Sequence, residues 1–308
     1  MAGGAMIAGL LHTVPALAAT FDALVADAVP GAQRQHVVDA WMLETAIAEG
    51  VTPAVQARVA SHLRHLQDSG ADAVLVTCSS IGEAAEQAAR SLTIPVLRVD
   101  APMAAAAISH LPTIASSINP GDTRSASGLS EEAMGAMVVV LATNTATLGP
   151  TTRLIEREAA AQGVDAGVTA TVVEGAAAAR AGGDQERHDR LIAEAVRAAA
   201  ADAGADVIVL AQASMAAAAE SAGVGIPVLT SPAGGVARLA ETLTPSDPGR
   251  AAASANRPAP AGSGGTPSAA ANRPTLSGSD GTPPAAANGS TSAGSGGTPP
   301  AAAYGAPA

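Results

Sequence analysis

The chain has 308 residues and a formal net charge of −11, and 48% of its residues are hydrophobic although it holds only one Phe, one Trp and one Tyr. A core made of Ala, Val, Leu and Ile suits buried strands that are covered by helices on both faces. The sequence contains no lysine. This excludes pyridoxal phosphate enzymes, Schiff-base aldolases and the phosphate-binding P-loop, all of which require a lysine side chain.

The acidic balance disfavours nucleic acid and anionic membranes as partners, because both are bound through clustered basic residues. The single cysteine cannot form an internal disulfide. The apolar run at Met6–Leu11 is interpreted as a strand rather than a signal peptide, since no basic residue precedes it. We therefore expect a cytoplasmic protein. The sequence is compatible with a homo-oligomer but does not define the oligomeric state.

Apolar runs alternate with helical patterns up to about residue 244. Short runs rich in β-branched residues predict buried parallel strands. These strands are Met6–Leu11, Ala73–Val76, Val138–Leu141, Val168–Val173 and Val207–Leu210. Helices are predicted at Pro53–Asp68, from Pro150 onward, and at Asp184–Ala203 with Asp184 as the N-cap. This alternation predicts a doubly wound α/β fold with parallel sheets.

The sequence also contains an internal repeat. GADAVLVTCSS begins at Gly70 and GADVIVLAQAS begins at Gly204, and each is followed by an alanine-rich stretch and then by IPVL. A repeat of this length predicts two pseudosymmetric lobes. When the two copies are aligned from their glycines, Cys78 falls opposite Gln212.

The repeat and the composition together predict the domain boundaries. The first lobe is expected at residues 1–103 plus about 230–244, and the second at 104–229 with a polar insertion at about 111–132. Residues 245–308 are almost entirely Ala, Gly, Pro, Ser, Thr and Asn. Such a composition cannot bury enough apolar surface to offset the entropy of ordering, so we predict a disordered tail.

Polar residues cluster where four of the predicted strands end. The carboxyl ends of parallel strands share one edge of a sheet, where ligands bind, and hydroxyl and N–H groups at helix N-termini suit a carboxylate. Each Ser or Thr alone is explained as a helix N-cap, but the four clusters together favour a ligand site. The candidate substrate-binding residues are His12, Thr13, Thr77, Ser79, Ser80, Thr143, Asn144, Thr147, Gln212 and Ser214.

Cys78 is the candidate catalytic residue. It follows a predicted strand, and the N-terminus of the helix after it is expected to lower the pKa of the thiol. The alternative is a cysteine that only packs, as buried cysteines often do. The position after the apolar run, rather than within it, favours catalysis.

Three segments resemble the aspartate/glutamate/hydantoin racemase family: TCSSIGEAAE from Thr77, IPVLRVDAPMA from Ile94 and LATNTATLGPTTRLIE from Leu141. The resemblance covers about residues 5–243 apart from the insertion. It implies two pseudosymmetric α/β lobes and cofactor-independent proton transfer next to a carboxylate or carbonyl, by one cysteine from each lobe. Cys78 matches the first cysteine, whereas Gln212 stands at the second position, and an amide does not exchange protons usefully near neutral pH.

Three interpretations follow from this departure. Cys78 acts alone, as in a racemase-like isomerase or a lyase for a small carboxylate or amino-acid-like substrate, for example by decarboxylation or cis–trans isomerisation. Alternatively a histidine replaces the missing acid, and His12 is the best placed. In the third interpretation the chain binds a small carboxylate without turnover.

Two other pairs of titratable residues are interpreted as surface features. His36 and Asp39 have the spacing of an i, i+3 pair on a surface helix, and Glu83 and Glu86 have that of a solvated helix face. His62 and His65 share a face of the predicted helix Pro53–Asp68 but lack a third ligand, so no metal site is predicted.

Overall fold

The computed structural model describes residues 6–111, 136–202 and 204–244, and the structural statements below refer to these residues. The chain divides into a unit of residues 1–262 and a second unit of residues 263–308. The second unit lies outside the described residues, as does all of the predicted tail from residue 245 onward. The polar insertion predicted at about 111–132 lies outside them from residue 112 onward.

The strands of the described residues form two four-stranded sheets in which every pairing is parallel. They are β1 (Ile7–His12), β2 (Gln33–Val38), β3 (Ala73–Val76), β4 (Val96–Arg98), β5 (Ala136–Ala142), β6 (Ala166–Val172), β7 (Val207–Leu210) and β8 (Val228–Thr230). The order is β2-β1-β3-β4 in the first sheet and β6-β5-β7-β8 in the second. The same order in both sheets confirms the prediction of two pseudosymmetric α/β lobes.

Helices connect successive strands, as parallel pairing requires. In the described residues they are α1 (Ala16–Ala28), α2 (Ala40–Glu49), α3 (Pro53–Asp68), α4 (Gly82–Ala89), α5 (Ala101–Ser109), α6 (Thr145–Gln162), α7 (Ala176–Ala181), α8 (Gln185–Asp202), α9 (Ala216–Ala222) and α10 (Ser231–Leu243). In this part of the chain, no helix combines the length and the apolar character needed to cross a membrane.

Each sheet separates two hydrophobic cores. Leu75 of β3 packs on one side of the first sheet with Leu10, while its neighbours Val74 and Val76 pack on the other side with Leu11. Successive side chains of a strand point to opposite faces, so a strand covered on both faces buries every residue. This is why β3 and β7 appear in the sequence as short apolar runs without alternation.

Helices α5 and α10 join the two lobes. Val236, Leu239 and Leu243 of α10 pack in the same core as Leu10 of the first sheet. Met103 of α5 packs in a core of the second sheet. A side chain at Gly235 would place its Cβ 2.7 Å from Val99, so a glycine lets α10 approach the chain after β4 closely. The lobe boundaries at residues 103 and 229 stay predictions.

Several local predictions need correction. The segment around His36 is strand β2 and not a helix, and β4 and β8 were not predicted. Helix α6 begins at Thr145, so Pro150 lies inside it rather than in its first turn. Helix α3 was predicted correctly, and the Asp184 carboxylate accepts from the Arg187 N–H at 2.9 Å as an N-cap should.

Candidate functional site

The carboxyl ends of β3 and β7 lie at one cleft between the lobes. The cleft encloses about 370 Å³ including its open mouth. Its lining residues are Thr13, Val14, Leu17, Leu43, Thr77, Cys78, Ser79, Ser80, Thr147, Gln212, Ala213 and Ser214. The structure therefore brings together Cys78 and seven of the ten predicted binding residues. The other three, His12, Thr143 and Asn144, do not line the cleft.

The turns that carry Cys78 and Gln212 have nearly the same backbone. Cys78 has φ −125° and ψ 116°, and Gln212 has φ −126° and ψ 135°. A single 3₁₀ turn follows each residue, at Ser79–Ile81 and at Ala213–Met215, and leads into α4 or α9. The structure thus agrees with the sequence alignment that puts Cys78 opposite Gln212, and both residues line the same cleft.

Burial raises the pKa of the Cys78 thiol. The Thr13 hydroxyl and the backbone N–H groups of Ser80 and Ile81 act in the opposite direction, but their combined effect is smaller. The N–H groups that follow Cys78 lower its pKa as predicted, but desolvation outweighs them, so the expectation of a net lowered pKa is wrong. Since an ordinary cysteine has a pKa of about 8.5, Cys78 is a protonated thiol near neutral pH.

Gln212 is held in one orientation by Thr143. Its Oε1 accepts from the Thr143 backbone N–H at 2.5 Å and from the Thr143 hydroxyl at 2.9 Å. A backbone N–H can only donate, so the atom that faces it must be the amide oxygen. The two Nε2 hydrogens of Gln212 remain as donors, and the structure gives them no hydrogen-bond partner among the described residues. Thr143 therefore does not line the cleft itself but fixes the orientation of the Gln212 amide, which does.

Hydrogen bonds between the lobes lie along the cleft. The Ser79 hydroxyl donates to the carbonyl of Ala211 at 3.0 Å, and Ser80 Oγ lies 3.0 Å from Thr147 Oγ1. Thr147 in turn contacts Asn144 Oδ1 at 3.2 Å. Ser79, Ser80 and Thr147 thus connect the lobes as well as line the cleft. Asn144 does not line the cleft, and its side-chain oxygen contacts the Thr147 hydroxyl.

Thr13 has a different environment. Its Oγ1 is buried and makes no well-formed hydrogen bond with the described part of the chain. Its position beside the Cys78 thiol lowers the thiol pKa without reaching good hydrogen-bond geometry. Because an unpaired buried hydroxyl is costly, this group is suited to a polar ligand atom in the cleft.

His12 lies behind the cleft and has no exposed surface. Its Nδ1 lies 2.9 Å from Thr77 Oγ1 and its Nε2 lies 3.0 Å from Nδ1 of His36. Burial, and then the charge of His36, lower the pKa of His12 to about 4, so it is neutral near pH 7. It belongs to the same lobe as Cys78 and does not reach the cleft. It is thus not placed to act as an acid opposite Cys78.

Ion pairs join α4 of the first lobe to α6 of the second. Glu83 pairs with Arg153 through two bonds of 2.8 and 2.9 Å, and Glu86 contacts Arg157 at 3.1 and 3.2 Å. The interpretation of Glu83 and Glu86 as a merely solvated face is therefore wrong. Arg98, which is buried, also contacts Glu86 at 3.1 Å and so extends this network into the first lobe.

Comparisons with known proteins find the same fold among racemases. The structure of glutamate racemase isoform RacE1 from Bacillus anthracis has a TM-score of 0.54 at 16% identity, covering 79% of this chain and 82% of that one. Glutamate racemase from Thermus thermophilus, in complex with β-chloro-D-alanine, has a TM-score of 0.51 at 18% identity, covering 83% and 93%. Aspartate racemase from Picrophilus torridus has a TM-score of 0.50 at 12% identity, covering 76% and 94%.

The chain thus has the fold of the glutamate and aspartate racemases, as the resemblance of its sequence implied. No protein-family model matches the sequence, and no curated protein matches it. At these identities the similarity shows the fold, and the activity has to be argued from the cleft itself.

Proposed function

We propose that the chain is a cofactor-independent, racemase-like isomerase or lyase that transfers a proton through Cys78 to or from a small carboxylate or amino-acid-like substrate. One observation carries this proposal: the only thiol of the protein and the free amide donors of Gln212 come from equivalent turns of the two lobes and line one cleft. The shared fold with glutamate and aspartate racemases supports it.

The lining of the cleft suits a small anion held by neutral donors. It contains six hydroxyl side chains and one amide, and none of its twelve residues is charged. The hydroxyl of Thr13 and the Nε2 group of Gln212 are donors of this lining that have no well-formed partner among the described residues. Donors directed into a partly desolvated cleft bind a carboxylate or an enolate more strongly than the same groups in water.

The protonated state of Cys78 favours a reaction that begins with a proton donor. Loss of CO₂ from a carboxylate needs no base, because the electron pair of the broken C–C bond remains on the substrate as an enolate. Gln212 Nε2 would donate to the enolate oxygen, and the Cys78 thiol would give its proton to the carbon. The thiolate then takes one proton from solvent. Because one thiol serves one face, protonation yields a single stereoisomer.

The second candidate is a carboxylate-binding protein without turnover. The raised pKa of the Cys78 thiol and the replacement of a second cysteine by Gln212 are the observations that favour it. A thiol that stays protonated is a weak base and a weak nucleophile, and an amide supplies no second acid.

The two candidates differ in whether carbon–hydrogen bonds form in the cleft. We would incubate the protein in D₂O with small mono- and dicarboxylates, amino acids and hydantoins, and follow deuterium incorporation by NMR and CO₂ release. Incorporation by the wild type that is lost in Cys78→Ser is the expected result. Ligand-induced thermal stabilisation without incorporation would identify a binding protein, and incorporation that persists in Cys78→Ser would refute the role of Cys78.

A further inference from the structure

A chain of hydrogen bonds runs from Thr77, a residue of the cleft lining, to the protein surface. Thr77 Oγ1 lies 2.9 Å from His12 Nδ1, and His12 Nε2 lies 3.0 Å from His36 Nδ1. His36 Nε2 lies 3.1 Å from the Asp22 carboxylate, which is 44% exposed. Both ring nitrogens of both histidines are therefore links in the chain, and each link joins groups that can give and accept a proton.

When His36 is neutral, the direction of every bond is determined by Asp22. The carboxylate can only accept, so His36 carries its hydrogen on Nε2 and its Nδ1 is an acceptor. His12 then donates from Nε2, and its own Nδ1 becomes an acceptor. The Thr77 hydroxyl fills this buried acceptor, so its hydrogen points toward His12 and away from the cleft.

When His36 is protonated, donor and acceptor exchange in every hydrogen bond of the network except the one between His36 and Asp22. His36 now donates from Nδ1 to Nε2 of His12, and His12 donates from Nδ1 to Thr77. The Thr77 hydrogen is then free for the Leu11 carbonyl, 3.1 Å away, or for a group in the cleft. The two states differ by a single proton on His36, whereas His12 is neutral in both. The pKa of about 4 that burial imposes on His12 is consistent with this.

We propose that Asp22, His36, His12 and Thr77 form a proton relay between solvent and the cleft, with His12 as the positioning residue at its centre. Delivery starts from protonated His36. Its Nδ1 proton moves to His12, the His12 Nδ1 proton moves to Thr77, and the Thr77 hydroxyl proton passes to an acceptor in the cleft. His36 is left neutral with its hydrogen on Nε2. Before the next delivery the network has to reset: His36 takes up one proton from solvent, and the His12 hydrogen returns from Nε2 to Nδ1.

This relay matters for catalysis only if the proposed function holds. A thiolate formed at Cys78 must regain a proton, and Cys78 and Thr77 are neighbours in the chain and in the lining of the cleft. The relay offers that proton a route which does not pass through the mouth of the cleft, where substrate and product reside.

Titratable and charged groups face His36 from the elements packed against it. Asp22 on α1 faces its Nε2, and His12 on β1 faces its Nδ1. Arg34 on β2 is the other charged group of the network, and it pairs with Asp22 at 2.7 Å. Phe21 of α1 covers the inner histidine, with 5.9 Å between the centroids of the Phe21 and His12 rings.

Nitrogen-15 NMR of the histidine rings tests the relay without any substrate. As the pH falls and His36 gains its proton, the hydrogen of neutral His12 should move from Nε2 to Nδ1. This change should disappear in His36→Gln and persist in His62→Gln, a matched control because His62 pairs with Asp39 at 2.6 Å in the same lobe. A His12 tautomer that does not change with pH in the wild type would refute the relay.

Kinetics then separate this inference from the proposed function. If the wild type turns over a substrate, His36→Gln should lower kcat by about 10-fold with little change in KM, because a positioned proton-transfer group contributes at least that much. Added imidazole should restore kcat in this variant and leave His62→Gln unaffected. Unchanged kcat without a buffer effect would refute the relay's role while leaving Cys78 chemistry intact. A wild type without turnover would refute the proposed function, and the NMR result would still decide whether the relay exists.

Discussion

The turn that ends β3 and the turn that ends β7 have the same backbone and different chemistry. In the first lobe the turn presents the Cys78 thiol, which burial keeps protonated, and in the second it presents the Gln212 amide, which Thr143 orients. The difference extends beyond these two positions. Behind Cys78, Gly82 begins α4, and the buried guanidinium of Arg98 lies against it; the second lobe has Ala216 and Thr230 at the matching positions. A duplicated backbone thus supports an acid on one side of the cleft and a neutral hydrogen-bond donor on the other.

Removal of the thiol should have the largest effect on activity. Cys78→Ser keeps the shape of the side chain but replaces the thiol by a far weaker acid, so turnover of any substrate should fall by at least about 100-fold. Deuterium incorporation and product formation measure the loss, and circular dichroism controls for folding. Activity within a few-fold of the wild type would show that the two turns do not differ in the way proposed.

A second cysteine should make the two lobes chemically alike. Gln212→Cys places a proton carrier on the second face, so both enantiomers of aspartate, glutamate or a hydantoin should gain deuterium at the α-carbon. The two thiols would act as acid and base, and the rate should show a bell-shaped dependence on pH.

Two further variants control this experiment. Gln212→Ser opens the same space without a thiol and should show no exchange on the second face, and Cys78→Ser added to Gln212→Cys should abolish the two-face exchange. Loss of Gln212 Oε1 also leaves the Thr143 N–H unpaired, which should cost about 1–3 kcal/mol of unfolding free energy in urea titrations. A well-folded Gln212→Cys protein without any exchange would mean that the second lobe does not reach the reacting carbon.

The contact between Gly82 and Arg98 predicts an asymmetry in stability. A Cβ at Gly82 would lie 2.5 Å from Cζ and Nε of Arg98, and this arginine is fixed by two bonds of 2.8 and 2.7 Å to buried Asp100. Gly82→Ala should therefore lower the free energy of unfolding by about 1–3 kcal/mol, as overpacking usually does.

Gly225 is the matched control in the second lobe, because a Cβ there would meet no described atom within 4 Å. Gly225→Ala should change the free energy of unfolding by less than about 0.5 kcal/mol. Denaturant titrations of both variants measure the difference. Equal stability of the two would show that the Arg98 side chain can move away from the new methyl group at little cost.

The smallest effect is expected at the ion pairs between the lobes. The bonds from Arg153 hold the pKa of Glu83 below its ordinary value, so the pair stabilises the fold fully above that value of about 4.3 and loses its effect as the pH falls through the lowered one. Since both side chains are partly exposed, Glu83→Gln should cost at most about 1 kcal/mol at pH 7. Unfolding curves of variant and wild type should converge at acid pH and in high salt, and a constant difference would exclude a charge effect.

Much of the fold could be predicted because the repeat and the buried strands leave direct signals in the sequence. β3 and β7 were predicted to the residue, since both of their faces are covered and every side chain is apolar. β2 was missed because it lies at the edge of its sheet and its sequence, QRQHVV, is mostly polar. The start of α6 was missed because Pro150 looks like a first-turn residue, although the helix begins five residues earlier.

The candidate site was predictable in its residues and not in its electrostatics. Alignment of the repeat was sufficient to place Gln212 opposite Cys78. The pKa of Cys78 depends on how completely both lobes cover it, and that burial is a property of residues far apart in the chain. The relay escaped the sequence analysis for a similar reason, because Asp22, His36 and His12 come from three elements and meet only when β2 pairs with β1.

Because of helix α10, the hydrophobic cores of the two lobes can be completed at different stages of synthesis. The core that holds Leu10 and Leu75 is incomplete until Val236, Leu239 and Leu243 have been translated, whereas α5 precedes every strand of the sheet that it covers. The second lobe can therefore assemble in chain order as it leaves the ribosome. The first lobe has to wait for α10 before its apolar strands are shielded, so the nascent chain should expose the lobe that carries the thiol longest.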